Sequence, residues 1–242
     1  ERIQTELNEL NNSEQSIETL EQQEQLSLQT LHQISQELTQ LRRQTAANLE
    51  SQLLAELKPL AMDKVKFQIE IIPISPSSTG ADKITFMFSP NPGEPIQPLT
   101  EIASGGEMSR FLLALKACFH QGNEVGTMIF DEIDVGVSGR VAQAIAEKLH
   151  QLSQEHQVLC VTHQPLIAAM ADHHFRVDKL VINKVINSDD EQRTVVRVTS
   201  LNNLTTRREE LAQLAGGKSA NEAISFAESL LLQAANHRER GK

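Results

Sequence analysis

"TMIFDEID", residues 127–134, decides the fold. Four residues of an apolar strand run straight into Asp131, Glu132 and Asp134. Short, continuously apolar strands belong to parallel sheets buried on both faces, and open α/β sheets bind ligands beyond the carboxyl ends of their strands. Two adjacent carboxylates at such an end suit a division of labour. Asp131 could hold Mg²⁺ through its water shell, while Glu132 could orient and polarise an attacking water. Taken alone, the pair equally fits a strand end followed by two solvated acids.

Two further stretches repeat the logic. "VLCVTHQP", residues 158–165, is a second buried strand with His163 just past its carboxyl end, where an imidazole could touch a γ-phosphate or its attacking water. "ASGGE", residues 103–107, opens directly into an apolar helix. Ser104, Gly105 and Gly106 would offer backbone N–H groups at a helix N-terminus, and the missing β-carbons let an anion approach closely. Each has an ordinary reading, as a polar loop histidine and as a serine cap. Three phosphate-directed elements in one order within about sixty residues weigh together, and the expectation is an α/β nucleotide-binding layer structure.

The flanks are of another kind. Residues 1–59 lack glycine and, until Pro59, proline; they are rich in Glu, Gln and Leu. Apolar positions fall three or four apart, from Ile3, Leu7 and Leu10 through Ile17 and Leu20 to Leu28, Leu31, Ile34, Leu38 and Leu41. This is a coiled-coil arm, parallel or antiparallel, of about 75 to 85 Å at ~1.5 Å per residue. It needs a partner helix, which the chain does not offer at matching length. From Val65 the period becomes two: "VKFQIEII" and "KITFMFS" read as strands around the turn-rich "PISPSSTGAD", and "SPNPGEPIQP" as an irregular loop. Helices are expected over about 105–121, 139–153 and 165–171. "HFRVDKLVINKVI" with "TVVRVTSL" makes an antiparallel hairpin, and two helices follow. The domains are therefore an arm, 1–59, and a lobe, 60–242.

"AGGKSANE", residues 215–222, is a decoy. It ends like a P-loop, but Ala212 stands where the first glycine belongs, and a helix precedes it rather than a buried strand. Gly216 and Gly217 read as a helix stop, and Ser219 with Glu222 as a capping box.

The net charge of −10 excludes a strong overall basic field for nucleic acid. Cys118 and Cys160, in apolar runs without metal-like spacing, read as small buried hydrophobes in a reducing compartment. No apolar run approaches a membrane span, and no signal peptide is visible. The chain opens on Glu1 inside a helical pattern and reads as part of something longer.

The order of motifs resembles the ATP-binding cassette head: signature, Walker B, D-loop, switch histidine. Glu107 closing the signature is typical of the SMC-like branch, which carries long coiled coils. Within that branch, "SGGEMSRFLLALK", "IFDEIDVGVSGRVAQAIAEKL" and "VLCVTHQPLIAAMADHHF" resemble the RecN family of bacterial double-strand-break repair proteins, closely over about residues 99–178. The resemblance implies the C-terminal lobe of a P-loop NTPase head with its descending arm, using ATP and Mg²⁺. Ser104, Gly105, Gly106 and Glu107 would contact ATP on the opposite head of a homodimer. Asp131 (Mg²⁺ through water), Glu132 and His163 would serve their own head's ATP. Asp134, Gly136, Ser138, Gly139 and Arg140 would form the D-loop between heads. The implied partners are DNA and an N-terminal half bearing the Walker A lysine and the ascending helix, in the cytoplasm at the nucleoid, with no membrane. Without that half the chain is expected to be inactive. The alternatives are an SMC- or SbcC-type DNA-processing ATPase, or a structural coiled-coil module with an inactive head. Intact Glu132 speaks against the last.

Overall fold

The structure, a computed structural model, describes residues 2–102, 105–119, 126–186, 189–216 and 220–240. It comprises two compact units, Glu1–Gln52 with Lys66–Glu101, and Leu53–Val65 with Ile102–Lys242.

The long helix α1 (Arg2–Leu57) is uninterrupted, as expected where neither glycine nor proline intervenes. Its seam residues Ile17, Leu20, Leu28, Leu31, Ile34 and Leu41 are exposed. In the first unit α1 is joined by an antiparallel sheet of order β1-β2-β3: β1 (Lys66–Ser77), β2 (Gly80–Ser89) and β3 (Gln97–Pro98). Ala46, Phe67 and Phe88 are buried there, and the Phe67 and Phe86 rings lie 5.8 Å apart. Buried Asp82 on β2 accepts from Thr39 Oγ1 (2.8 and 2.9 Å) and from Arg42 Nη1 (3.0 Å). Glu50 caps the strand amide of Ile69 at 2.6 Å.

Two sequence expectations change here. The turn-rich segment is mostly strand: β1 continues to Ser77, with an irregularity between Pro73 and Ser77. Prolines are tolerated because β1 is the sheet edge, where a missing N–H breaks no ladder. The "irregular" loop also ends in a strand, since Gln97 and Pro98 pair with Phe88 and Met87.

The second unit centres on two parallel strands, β4 (Thr127–Phe130) and β5 (Gln157–Cys160), paired from Thr127↔Gln157 to Phe130↔Cys160. Helix α2 (Gly105–Cys118) leads toward β4, and α3 (Arg140–Leu152) connects β4 to β5 as a crossover. Ala142, Ile145, Ala146 and Leu149 bury one face of α3 at helical spacing. Past β5 come α4 (Pro165–Met170), then the hairpin β6 (Phe175–Ile186) and β7 (Asp189–Ser200). The hairpin register runs from Phe175↔Ser200 to Ile186↔Asp189. The last helices, α5 (Leu204–Ala215) and α6 (Ala220–Arg240), close a core of Ala168, Ala169, Leu211, Ala212, Ala223, Ala227 and Leu230. Small residues let these helices approach closely, and each buried leucine contributes about 1.5 to 3 kcal/mol.

Ala212, the residue that spoils the P-loop pattern, is buried inside α5, and Gly216 stops that helix at φ 60°. Gly217 and Ser219 of the expected stop and capping box lie outside the described residues. Cys118 and Cys160 are half-buried rather than fully buried. Burial, with Asp134 and Asp131 adding, pushes the Cys160 thiol up to about 12.

Candidate functional site

Parallel pairing sets the site. Because Phe130 lies opposite Cys160 and the Val161 amide donates to the Phe130 carbonyl at 2.9 Å, both strands end on the same edge. Asp131 and Glu132 leave β4 there, and Thr162, His163 and Gln164 leave β5 beside them.

Asp131 and Glu132 are exposed. Ser109 Oγ on α2 donates to the Asp131 carbonyl (2.8 Å), and Asp131 Oδ1 accepts from the Glu132 amide (2.9 Å). Glu132 adopts φ 55°, a left-handed conformation unusual for a residue with a β-carbon. The turn continues with the Val135 amide on the Glu132 carbonyl. It directs Glu132 toward α2: a β-carbon at Gly105 would stand 2.6 Å from Glu132 Oε2, and one at Gly106 would stand 3.1 Å from the Glu132 carbonyl. The glycine pair and the acid pair are thus neighbours within one chain. Gly105 and Gly106 are the first residues of α2, with Glu107 in its first turn, where an acid suits the helix dipole. Ser104 lies outside the described residues.

Asp134 is 2 % exposed. Its Oδ2 receives Thr162 Oγ1 at 2.5 Å, the His163 amide at 2.9 Å and the Gln164 amide at 3.2 Å; His163 Nδ1 lies 3.1 Å away. The His163 side chain itself is 67 % exposed. Gly136 and Gly139 take φ 72° and 54°, and Ser138 and Arg140 face solvent. The loop is pinned from two sides, by Gln164 Nε2 on the Val137 carbonyl (3.1 Å) and by Arg110 Nη1 on the Val135 carbonyl (3.1 Å).

Sequence reading missed Ser109, Arg110, Thr162 and Gln164. Arg110 carried a signal: it falls on the helical stripe 110, 113, 114 and 117, where the other three positions are apolar and buried. Burial lowers its guanidinium from the ordinary value, with Glu107 opposing.

Chemically, the edge presents two solvent-facing carboxylates, one exposed imidazole on a fixed loop, and a helix start without side chains. That set can bind a phosphate-bearing ligand, hold a hydrated cation and take a proton from water.

The fold is that of a solved Smc head domain with a coiled coil and joint from Pyrococcus yayanosii: TM-score 0.54 at 20 % identity, covering 82 % of this chain and 35 % of that one. The chain therefore has the fold of an Smc head domain with a coiled coil. No family model matches it. Proteins described as DNA repair protein RecN do: that of a Synechocystis species is 54 % identical over 99 % of this chain, and that of Bacillus subtilis 34 % identical over 96 %. The chain belongs to the RecN family. It spans 42 % of the length of each of these two relatives.

Proposed function

We propose that this chain is the C-terminal half of an SMC-like ATPase acting in double-strand-break repair and recombination. ATP binding joins two heads, hydrolysis releases them, and the cycle gates engagement of DNA. The observation that supports the reading is the common edge of β4 and β5, where Asp131, Glu132 and His163 emerge together.

Mg²⁺ and ATP fit the residues present. Among the described residues no cluster of three ligating side chains could hold a metal alone. Asp131 would hold Mg²⁺ through water, with the nucleotide's phosphates completing the shell. Bound Mg²⁺ supplies neutralisation of phosphate charge. Glu132 takes the proton of the attacking water on its carboxylate, and His163 steadies that water or the phosphate through Nε2. Ser104, Gly105, Gly106 and Glu107 meet ATP carried by the second head, with the 134–140 loop between the two.

A companion half has structural support. Met128 and Phe130 are buried, yet Ile129, Leu159 and Val161 are 70 %, 46 % and 61 % exposed. Parallel sheets are covered on both faces. An N-terminal half supplying the Walker A lysine would cover this face, and its ascending helix would cover the open seam of α1. The setting is the bacterial cytoplasm, at the nucleoid; among the described residues no helix is long and apolar enough to cross a membrane.

The test is ATP hydrolysis by the full-length protein. Glu132→Gln is expected to retain ATP binding and lose turnover by at least about a hundredfold. Turnover near the wild-type rate would remove Glu132 from the role of base. The chain by itself is expected to show no micromolar ATP binding by calorimetry, since its sequence carries no complete Walker A motif for the β- and γ-phosphates.

A further inference from the structure

The buried carboxylate of Asp134 has a use that the placement of its loop between heads does not cover. It lies wholly inside one unit, and four groups of the β5 edge converge on one of its oxygens. The three hydrogen-bond donors fix the backbone on either side of His163; the fourth group is the ring itself. A carboxylate oxygen and a bare ring nitrogen are both acceptors and repel, so a separation of 3.1 Å favours the ring with its proton on Nδ1. That leaves Nε2 as the working nitrogen. It accepts from water when the ring is neutral and donates to phosphate when the ring is charged.

We propose that Asp134 is a positioning residue for hydrolysis: it fixes the His163 loop, holds the ring in its Nδ1–H tautomer and presents Nε2 to the reacting centre. The proposal rests on the ATPase reading of His163. Its physical basis is that of other outer partners of histidine, which set ring orientation and tautomer without touching substrate. The same contact ties the loop after β4 to the loop after β5, so a shift of residues 134–137 moves the imidazole.

The test uses the full-length protein. Asp134→Asn keeps the shape of the side chain and removes its charge. It is expected to lower kcat for ATP roughly tenfold to a hundredfold, with ATP affinity changed by less than about twofold. In a His163→Ala background the same substitution is expected to cost less than about a further twofold, because the residue it acts through is gone. An undiminished loss in that background, or no loss in the single variant, overturns the proposal. If His163→Ala alone leaves kcat unchanged, the functional reading of His163 fails and the proposal falls with it. That result differs from a neutral Asp134→Asn beside a damaging His163→Ala, which sinks the positioning role only. A measurement independent of variant folding is the long-range ¹⁵N–¹H spectrum of histidine-labelled wild type, with His163 assigned by its loss in His163→Ala. A protonated Nδ1 is expected. A neutral ring protonated at Nε2 overturns the proposal.

Discussion

A β-carbon placed on Gly105 would stand 2.6 Å from Oε2 of Glu132, closer than real β-carbons approach any atom. The obstructing atom is the far end of a flexible side chain, so the fold can yield by moving it. Gly105→Ala is therefore expected to leave stability within about 1 kcal/mol, alanine being the better helix former. The Glu132 carboxylate, however, must leave its place. A displacement of about 1 Å at a reacting group costs up to about a hundredfold, and kcat for ATP should fall at least about tenfold. Denaturant midpoints and turnover of the full-length variant check the two halves separately. Unchanged turnover would mean that the contact has no part in placing the acid.

Glu132 also carries backbone strain. At φ 55° a residue with a β-carbon costs about 1 to 2 kcal/mol relative to glycine, and here the conformation serves to turn the carboxylate toward α2. Glu132→Gln keeps that strain and Glu132→Gly relieves it, while both lose the charge. The glycine variant is expected to be the more stable by about 1 kcal/mol, part of the relief being offset by its freer unfolded chain, and both should be inactive. Thermal unfolding of the two variants side by side decides it. A more stable glutamine variant would show that the turn is not strained.

These relationships mark where the sequence stops being informative. The strands β4 and β5, the α3 helix and the β6–β7 hairpin were legible because each announces itself through local composition or period, in windows of four to about thirteen residues, although β4 and β5 are half-open here and not buried on both faces. Asp131, Glu132 and His163 were legible because a strand end is a local feature as well. Asp134 was readable as a loop acid but not as a buried one. Its burial depends on Thr162, His163 and Gln164, nearly thirty residues away, and no spacing records that pairing. The prolines of β1 misled for a related reason. Whether Pro73 and Pro76 break a strand depends on their lying at a sheet edge, a property of the pairing and not of the segment.

In the first unit Asp82 makes a prediction about acid. Burial pushes its carboxyl upward, but hydrogen bonds from Thr39 and Arg42 and the charges of Arg42 and Arg43 outweigh this and hold it below its ordinary value. With the folded value the lower one, the unfolded chain binds the extra proton. The contribution is therefore complete at neutral pH, begins to weaken near the ordinary value of about 4, and is gone once pH falls through the folded value. Asp82→Ala should speed amide exchange along β1 and β2 at pH 7. The gap from wild type should narrow as pH falls below about 4. A gap independent of pH would mean that Asp82 contributes through shape alone.

Arg207 tests whether the support behind the His163 loop is structural or chemical. It is 9 % exposed, and its Nη2 donates to the carbonyls of Ala171 (2.6 Å) and Ala169 (3.3 Å), where α4 ends and its last carbonyls have no helical partner. Arg238 adds a contact to Ala171 at 3.3 Å, so losing Arg207 orphans Ala169 chiefly. Burial, with Arg238 adding, lowers the Arg207 guanidinium from its ordinary value. Arg207→Met retains the aliphatic packing and removes the charged donors, and is expected to cost about 2 kcal/mol, the range for a hydrogen bond to a charged group. Arg207→Lys should recover less than half of this, since one ammonium cannot reproduce the planar fork. Helix α4 begins two residues after His163, but the loop there is held by Asp134 rather than by Arg207. Turnover of Arg207→Met under native conditions should therefore stay within a factor of about two. Urea unfolding and ATP hydrolysis on the same full-length preparation separate the outcomes. A lower midpoint with near-normal kcat supports a purely structural role, and a collapse of kcat at an unchanged midpoint would place Arg207 in the functional path instead.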